Sequence, residues 1–173
     1  MKTIRYFSAK EFKNFMKSLG YISYSYNRCN VPYQKIIESD FAIISICNTE
    51  IEEGADNEYD LWANGADNHW MPSTSNVLNI EFDDIDGHSD NYKCAFNNKD
   101  AEKIIDFIIR NKDKNNFYIH CGAGISRSGA VALFVADMFR YFGNDYNVLP
   151  IVPKTPNAWV LKVLHNRLSQ IDI

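Results

Sequence analysis

In the stretch His120-Cys121-Gly122-Ala123-Gly124-Ile125-Ser126-Arg127-Ser128 a thiol, an imidazole, a guanidinium and small residues lie side by side. Glycines let successive backbone N–H groups turn toward one point, and a helix that starts just after them adds partial positive charge there. Such a nest suits a tetrahedral dianion. Arg127 at the helix start would grip two phosphoryl oxygens with its planar fork, which a lysine ammonium cannot copy. The same positive field favours the thiolate of Cys121, the nucleophilic form of the side chain. A plain strand–turn–helix with a structural cysteine leaves His120, Arg127 and Ser128 unexplained in apolar surroundings.

The elements around the stretch are legible from apolar spacing. FYIHC (117–121) reads as a short buried strand, and 127–142 as a helix apolar on nearly every face. FAIISIC (41–47) and VLNIEF (77–82) read as two further strands, the second ending in the acidic loop DDIDGHSDN. Ala101, Ile104, Ile105, Ile108 and Ile109 recur at helical spacing over 98–112, with Lys112 and Lys114 suited to the helix end. Ser8 and Glu11 predict a capping box for a helix carrying Phe12, Phe15, Met16 and Leu19, stopped by Gly20. Thr155-Pro156 predicts the start of a last helix with Val160, Leu161, Leu164 and Leu168 on its buried stripe. Strands alternating with helices predict an α/β fold: a central mixed, largely parallel sheet flanked by helices on both faces.

The 173 residues suit a single domain spanning 1–173, and a net charge of −4 argues against sequence-independent nucleic-acid binding. No apolar run reaches the roughly 20 residues that cross a bilayer, and MKTIRYFSAKEFKNF has no apolar signal-peptide core. Cys29, Cys47, Cys94 and Cys121 contain no C-x-x-C pair. That usage argues for a reducing cytoplasm and against a zinc knuckle.

His120-Cys121-x5-Arg127-Ser128 resembles the signature of the cysteine-dependent protein tyrosine phosphatase superfamily, and HCGAGISRS is most similar to its dual-specificity branch and small bacterial and viral relatives. The family order of aliphatic strand, acidic loop, helix and cysteine strand extends the likeness over roughly residues 40–168; the first 40 match only loosely. The resemblance implies a protein tyrosine phosphatase-like fold and a two-step reaction without metal or other cofactor. In it Cys121 is the nucleophile, and residues Gly122, Ala123, Gly124, Ile125, Ser126 and Arg127 bind the phosphoryl group. Ser128 eases breakdown of the phosphocysteine, and His120 positions the cysteine through a hydrogen bond.

A loop aspartate would be the general acid. Asp83, Asp84 and Asp86 are all candidates, with His88 behind them. Aligning FDDI with family members that end this strand in Phe-x-Asp-Ile selects Asp84. Some relatives carry a second cysteine where Cys47 stands, able to form a disulfide with the nucleophile; otherwise Cys47 is core packing. Asn157 resembles a family position near the site, although a helix-start asparagine is equally ordinary. Tyr59, Trp62, His69 and Trp70 are expected to anchor the long polar stretch 48–76 on the core.

The implied substrate is a phosphorylated protein or peptide, carrying phosphotyrosine and in addition phosphoserine or phosphothreonine, with phosphate and other oxyanions as inhibitors. Neither a nucleic acid nor a membrane is expected as partner. A phosphoinositide or RNA 5′-phosphatase of the same superfamily is the alternative enzyme, and a non-catalytic phosphate-binding module the alternative of another class. Uncharged Gly122, Ala123, Ile125 and Ser126 weaken the lipid and RNA readings.

Overall fold

The computed structural model describes residues 1–21, 29, 31–49, 69–85, 95–150 and 155–171. Their elements run β1 (Lys2–Ser8), α1 (Ala9–Ser18), α2 (Tyr33–Ile37), β2 (Phe41–Cys47), β3 (Val77–Glu81), α3 (Asn98–Arg110), β4 (Asn116–Cys121), α4 (Arg127–Tyr141), β5 (Tyr146–Leu149) and α5 (Ala158–Leu168). The strands form one sheet in the order β3-β2-β4-β1-β5, with every neighbouring pair parallel. The fold is therefore α/β, and its sheet among the described residues is wholly parallel rather than mixed. Parallel neighbours need crossover connections, which helices commonly supply.

Interior β2 is buried at every position, which is why FAIISIC is an unbroken apolar run rather than an alternating one. β1 and β5 are additions to the three strands that apolar runs predict. β1 alternates buried and half-buried residues along KTIRYFS, the period-two pattern of a strand. β5 has four residues at the sheet edge, too few for any periodic signal.

Strand parity sorts the core, because alternate side chains leave opposite faces of a pleated strand. Ile4 and Tyr6 of β1, Ile44 and Ile46 of β2, and Phe117, Ile119 and Cys121 of β4 join residues of α3, α4 and α5 in one cluster. Phe41 and Ile43 of β2 and Tyr118 of β4 join Phe12, Met16, Ile36 and Trp70 in a second.

Caps define the helix ends. Ser8 and Glu11 form the expected capping box on α1, and Gly20 follows it at φ 79°. α3 carries a second box, from Asn97 and Asp100, and ends at Arg110, so that Lys112 and Lys114 lie beyond it. The Nζ of Lys2 donates to the carbonyls of both, at 2.7 and 2.9 Å. α5 is capped by Asn157 rather than Thr155, because the Asn157 side chain accepts from the Val160 N–H. No helix among the described residues is long and apolar enough to cross a membrane.

Candidate active site

The parallel strands β1 and β4 end together, with Ser8 opposite Cys121. Both chains then turn into their next segments, and the Ala9 N–H donates to the Gly122 carbonyl at 3.1 Å. The loop after β4 rests directly on this β1–α1 corner. Gly124 has φ +71°, and a Cβ built there would lie 2.1 Å from Ser8 N and 2.5 Å from Phe7 C. Only glycine satisfies both the backbone conformation and the close approach.

The loop converges on the cysteine sulfur. The Gly124 N–H donates to Cys121 Sγ at 3.3 Å, and the thiol donates to Ser128 Oγ at 3.2 Å. With a thiolate the serine contact would reverse, the hydroxyl donating to sulfur. Ser126, the N-cap of α4, makes no side-chain capping bond, so its hydroxyl leaves the first helical N–H groups unbonded by it.

Arg127 is 5% exposed. Its Nη1 donates to Asn48 Oδ1 at 2.6 Å and to the Phe82 carbonyl at 2.7 Å, which ties the ends of β2 and β3 to the start of α4. Its Nε is buried and makes no hydrogen bond among the described residues, and no carboxylate there pairs with the guanidinium. A buried cation compensated only by neutral acceptors is costly unless an anion joins it. The role of Asn48 has no local signal in sequence, since its contact with Arg127 spans 79 positions.

The acidic loop divides by orientation. Asp83 Oδ1 accepts from the Thr49 N–H and hydroxyl at 3.0 and 3.1 Å, which ties it to the end of β2. Asp84 Oδ1 instead accepts from Ser126 Oγ and from Asn157 Nδ2, each at 2.7 Å. Asp84 thus stands at the rim of the cysteine loop. Asp86, His88 and Cys94 lie outside the described residues.

Two cavities flank the loop. One, of about 410 Å³, is lined by Asp84, Ile85, Ser126, Asn157, Trp159 and Lys162, among others. The other, of about 690 Å³, is lined by Arg5, Phe7, Ala123, Ile125 and Leu149, among others. Neither is lined by Cys121, which is 2% exposed beneath the loop.

Comparison with protein-family models, curated proteins and solved structures gave no match to this chain.

His120 and Cys47 sit differently from what the resemblance implies. His120 stacks on Phe12, with ring centroids 4.2 Å apart, and neither ring nitrogen has a hydrogen-bond partner among the described residues. Among the described residues His120 therefore makes no bond that positions Cys121. Burial pushes the His120 imidazole down to about 3, so the ring is neutral at physiological pH. Parity places Cys47 with Ser45 and His120, whereas Cys121 follows the alternate face. Cys47 Sγ lies 3.4 Å from His69 Nδ1, which also meets Ser45 Oγ at 2.7 Å. Burial pushes the Cys47 thiol up to about 12. Side chains that point apart cannot be bridged without backbone movement.

His69 and Trp70 are buried, and Trp70 packs edge-on to Phe12 in the second cluster, as expected of anchors for the polar stretch. His69 Nε2 lies 3.7 Å from Glu81 Oε1. That is too long for a hydrogen bond, and burial lowers the His69 value despite the nearby carboxylate. Tyr59 and Trp62 lie outside the described residues. Cys29 is half-buried at the edge of the second cluster.

Proposed function

We propose that this chain is a cysteine-dependent phosphatase that hydrolyses phosphotyrosine, and in addition phosphoserine or phosphothreonine, in cytoplasmic proteins. The observation that carries the reading is the pairing of Cys121 Sγ with the Gly124 N–H, together with a buried Arg127 at the start of the following helix that no described carboxylate neutralises. A sulfur and a cation share one end of one helix, where a phosphoryl dianion would complete both.

The Cys121 thiolate attacks phosphorus in line. The S–P bond forms as the ester P–O bond breaks, and Asp84 gives its proton to the departing oxygen. Arg127 and the loop N–H groups hold the equatorial oxygens while charge builds on them. Water then attacks phosphorus and gives its proton to the Asp84 carboxylate. The S–P bond breaks, phosphate leaves, and the Ser128 hydroxyl donates to the departing sulfur. All of this is done by side chains of this chain, with no cofactor invoked.

The uncharged loop residues Gly122, Ala123, Ile125 and Ser126 favour a phosphoprotein over a polyanionic phosphoinositide or an RNA 5′-phosphate. Retention of Cys121, Arg127 and Ser128 favours an enzyme over a phosphate-binding module. The test is turnover of p-nitrophenyl phosphate and of a phosphopeptide panel, alongside phosphoinositide and RNA 5′-phosphate substrates. Wild-type turnover that Cys121→Ser abolishes is expected. Equal turnover in that variant, or none in the wild type, would overturn the proposal.

A further inference from the structure

We infer that Asn157 is a positioning residue that, with Ser126, fixes which oxygen of Asp84 carries the proton delivered to the leaving group. The inference rests on the proposed phosphatase reading and adds a device to it. Asn157 connects three segments. Its backbone N–H donates to the Ser126 carbonyl at 3.1 Å. Its Oδ1 accepts from the Val160 N–H at 3.0 Å, and its Nδ2 donates to Asp84 Oδ1 at 2.7 Å and to the Ile85 carbonyl at 3.2 Å.

Those partners settle the orientation of the amide. A flipped Asn157 would turn its oxygen toward a carboxylate and a carbonyl, and its NH₂ group toward an N–H. Capping α5 therefore forces the two amide hydrogens outward, toward the acid loop. Ser126 Oγ donates to the same Asp84 oxygen at 2.7 Å. With two donors on Oδ1 and none on Oδ2 among the described residues, Oδ1 is held as an acceptor. Oδ2 is left to carry the proton.

The same residues line the cavity of about 410 Å³ beside the loop, together with Trp159 and Lys162. That cavity is where a leaving group would meet Asp84. Asn157 need not touch the substrate. It holds the acid in register with the loop that holds the phosphoryl group, and small errors in such placement are costly in rate.

The experiment compares wild type, Asn157→Ser, Ser126→Ala and Asp84→Asn on aryl phosphates graded by leaving-group basicity. Serine is as good an N-cap as asparagine, so Asn157→Ser keeps the helix start and removes the amide donor. Ser126→Ala removes the other donor and leaves the cap untouched, which keeps the test decisive if Asn157→Ser folds poorly. Each variant should lose about 10-fold or more in kcat on the most basic leaving groups, out of the roughly 10²–10⁴-fold that general-acid help supplies. Each should change little on p-nitrophenyl phosphate, with KM near wild type, because Ser126 would meet the phosphoryl group through its backbone N–H, which Ser126→Ala keeps, while its hydroxyl is bonded to Asp84. In the Asp84→Asn background neither change should lower kcat further.

Loss of equal size on every leaving group, or a wild-type leaving-group dependence in both variants, would overturn the inference and leave Asn157 as a cap. That result, in a wild-type enzyme that turns over, leaves the phosphatase reading standing. A wild type with no turnover would remove both.

Discussion

The Gly124 N–H donates to Cys121 Sγ across 3.3 Å, while Gly124 itself is pressed onto the backbone of Ser8. The amide that meets the sulfur is therefore placed by the corner between β1 and α1. This gives the N-terminal strand a part in a site whose cysteine lies more than a hundred positions away.

Gly124→Ala should consequently damage both fold and site. Its Cβ would fall 2.1 Å from Ser8 N, in a conformation that side chains rarely adopt. Strain of about 1–3 kcal/mol is the expected order of destabilisation, readable by urea denaturation. Turnover should fall at least 100-fold, since relieving the clash moves the Gly124 N–H off the sulfur. Wild-type activity and stability would mean that the loop does not rest on this corner.

Asp84 and Asp83 should separate cleanly. Asp84→Asn should lower kcat by roughly 10²–10⁴-fold on basic leaving groups and much less on p-nitrophenolate, which needs little protonation. Asp83→Asn should instead cost about 1 kcal/mol of stability, through the two bonds from Thr49, with turnover nearly intact. If Asp86→Asn gives the leaving-group pattern, Asp86 is the acid.

His120 sets a pH dependence of folding. Its folded-state value of about 3 lies below the ordinary 6.5, so below about pH 6.5 the unfolded chain binds a proton that the native chain refuses. Stability is fully present above that pH and falls as pH drops toward 3, by up to about 1.4 kcal/mol per pH unit. His69 is lowered by burial as well and acts in the same direction. His120→Phe keeps a flat ring on Phe12 and cannot titrate. Its urea-denaturation free energy between pH 4 and 7 should fall less steeply than wild type. Parallel curves would mean that His120 is hydrated or paired in the native state.

Cys47 should not protect the enzyme. Its thiol is protonated at neutral pH and points away from Cys121. Peroxide inactivation and thiol recovery should match in wild type and Cys47→Ser. A linked peptide pair containing residues 47 and 121 would contradict this and require backbone movement.

What the sequence discloses depends on whether a contact is local. Capping boxes such as Ser8–Glu11, the buried run FAIISIC and the strand–loop–helix around Cys121 are short-range, and they were legible. Asp84 could be chosen over Asp83 only by register with a resembling family, because both are loop carboxylates until their partners Ser126 and Thr49 are known. β1 was hidden because its half-polar alternation is weak, although it runs between β4 and β5. The link from Asn48 to Arg127 and the parity that parts Cys47 from Cys121 are properties of strand register, which no single segment carries.

The central claim is that phosphate passes through Cys121, and Ser128 offers the direct way to see it. The Ser128 hydroxyl lies 3.2 Å from Cys121 Sγ, so Ser128→Ala should slow release of the sulfur and let the intermediate accumulate. Acid quenching during turnover of an aryl phosphate, followed by peptide mass spectrometry, should find a phosphoryl group on the peptide containing Cys121. It should be absent from Cys121→Ser treated in the same way. Steady turnover with no phosphorylated Cys121, or with phosphate on another residue, would contradict the account.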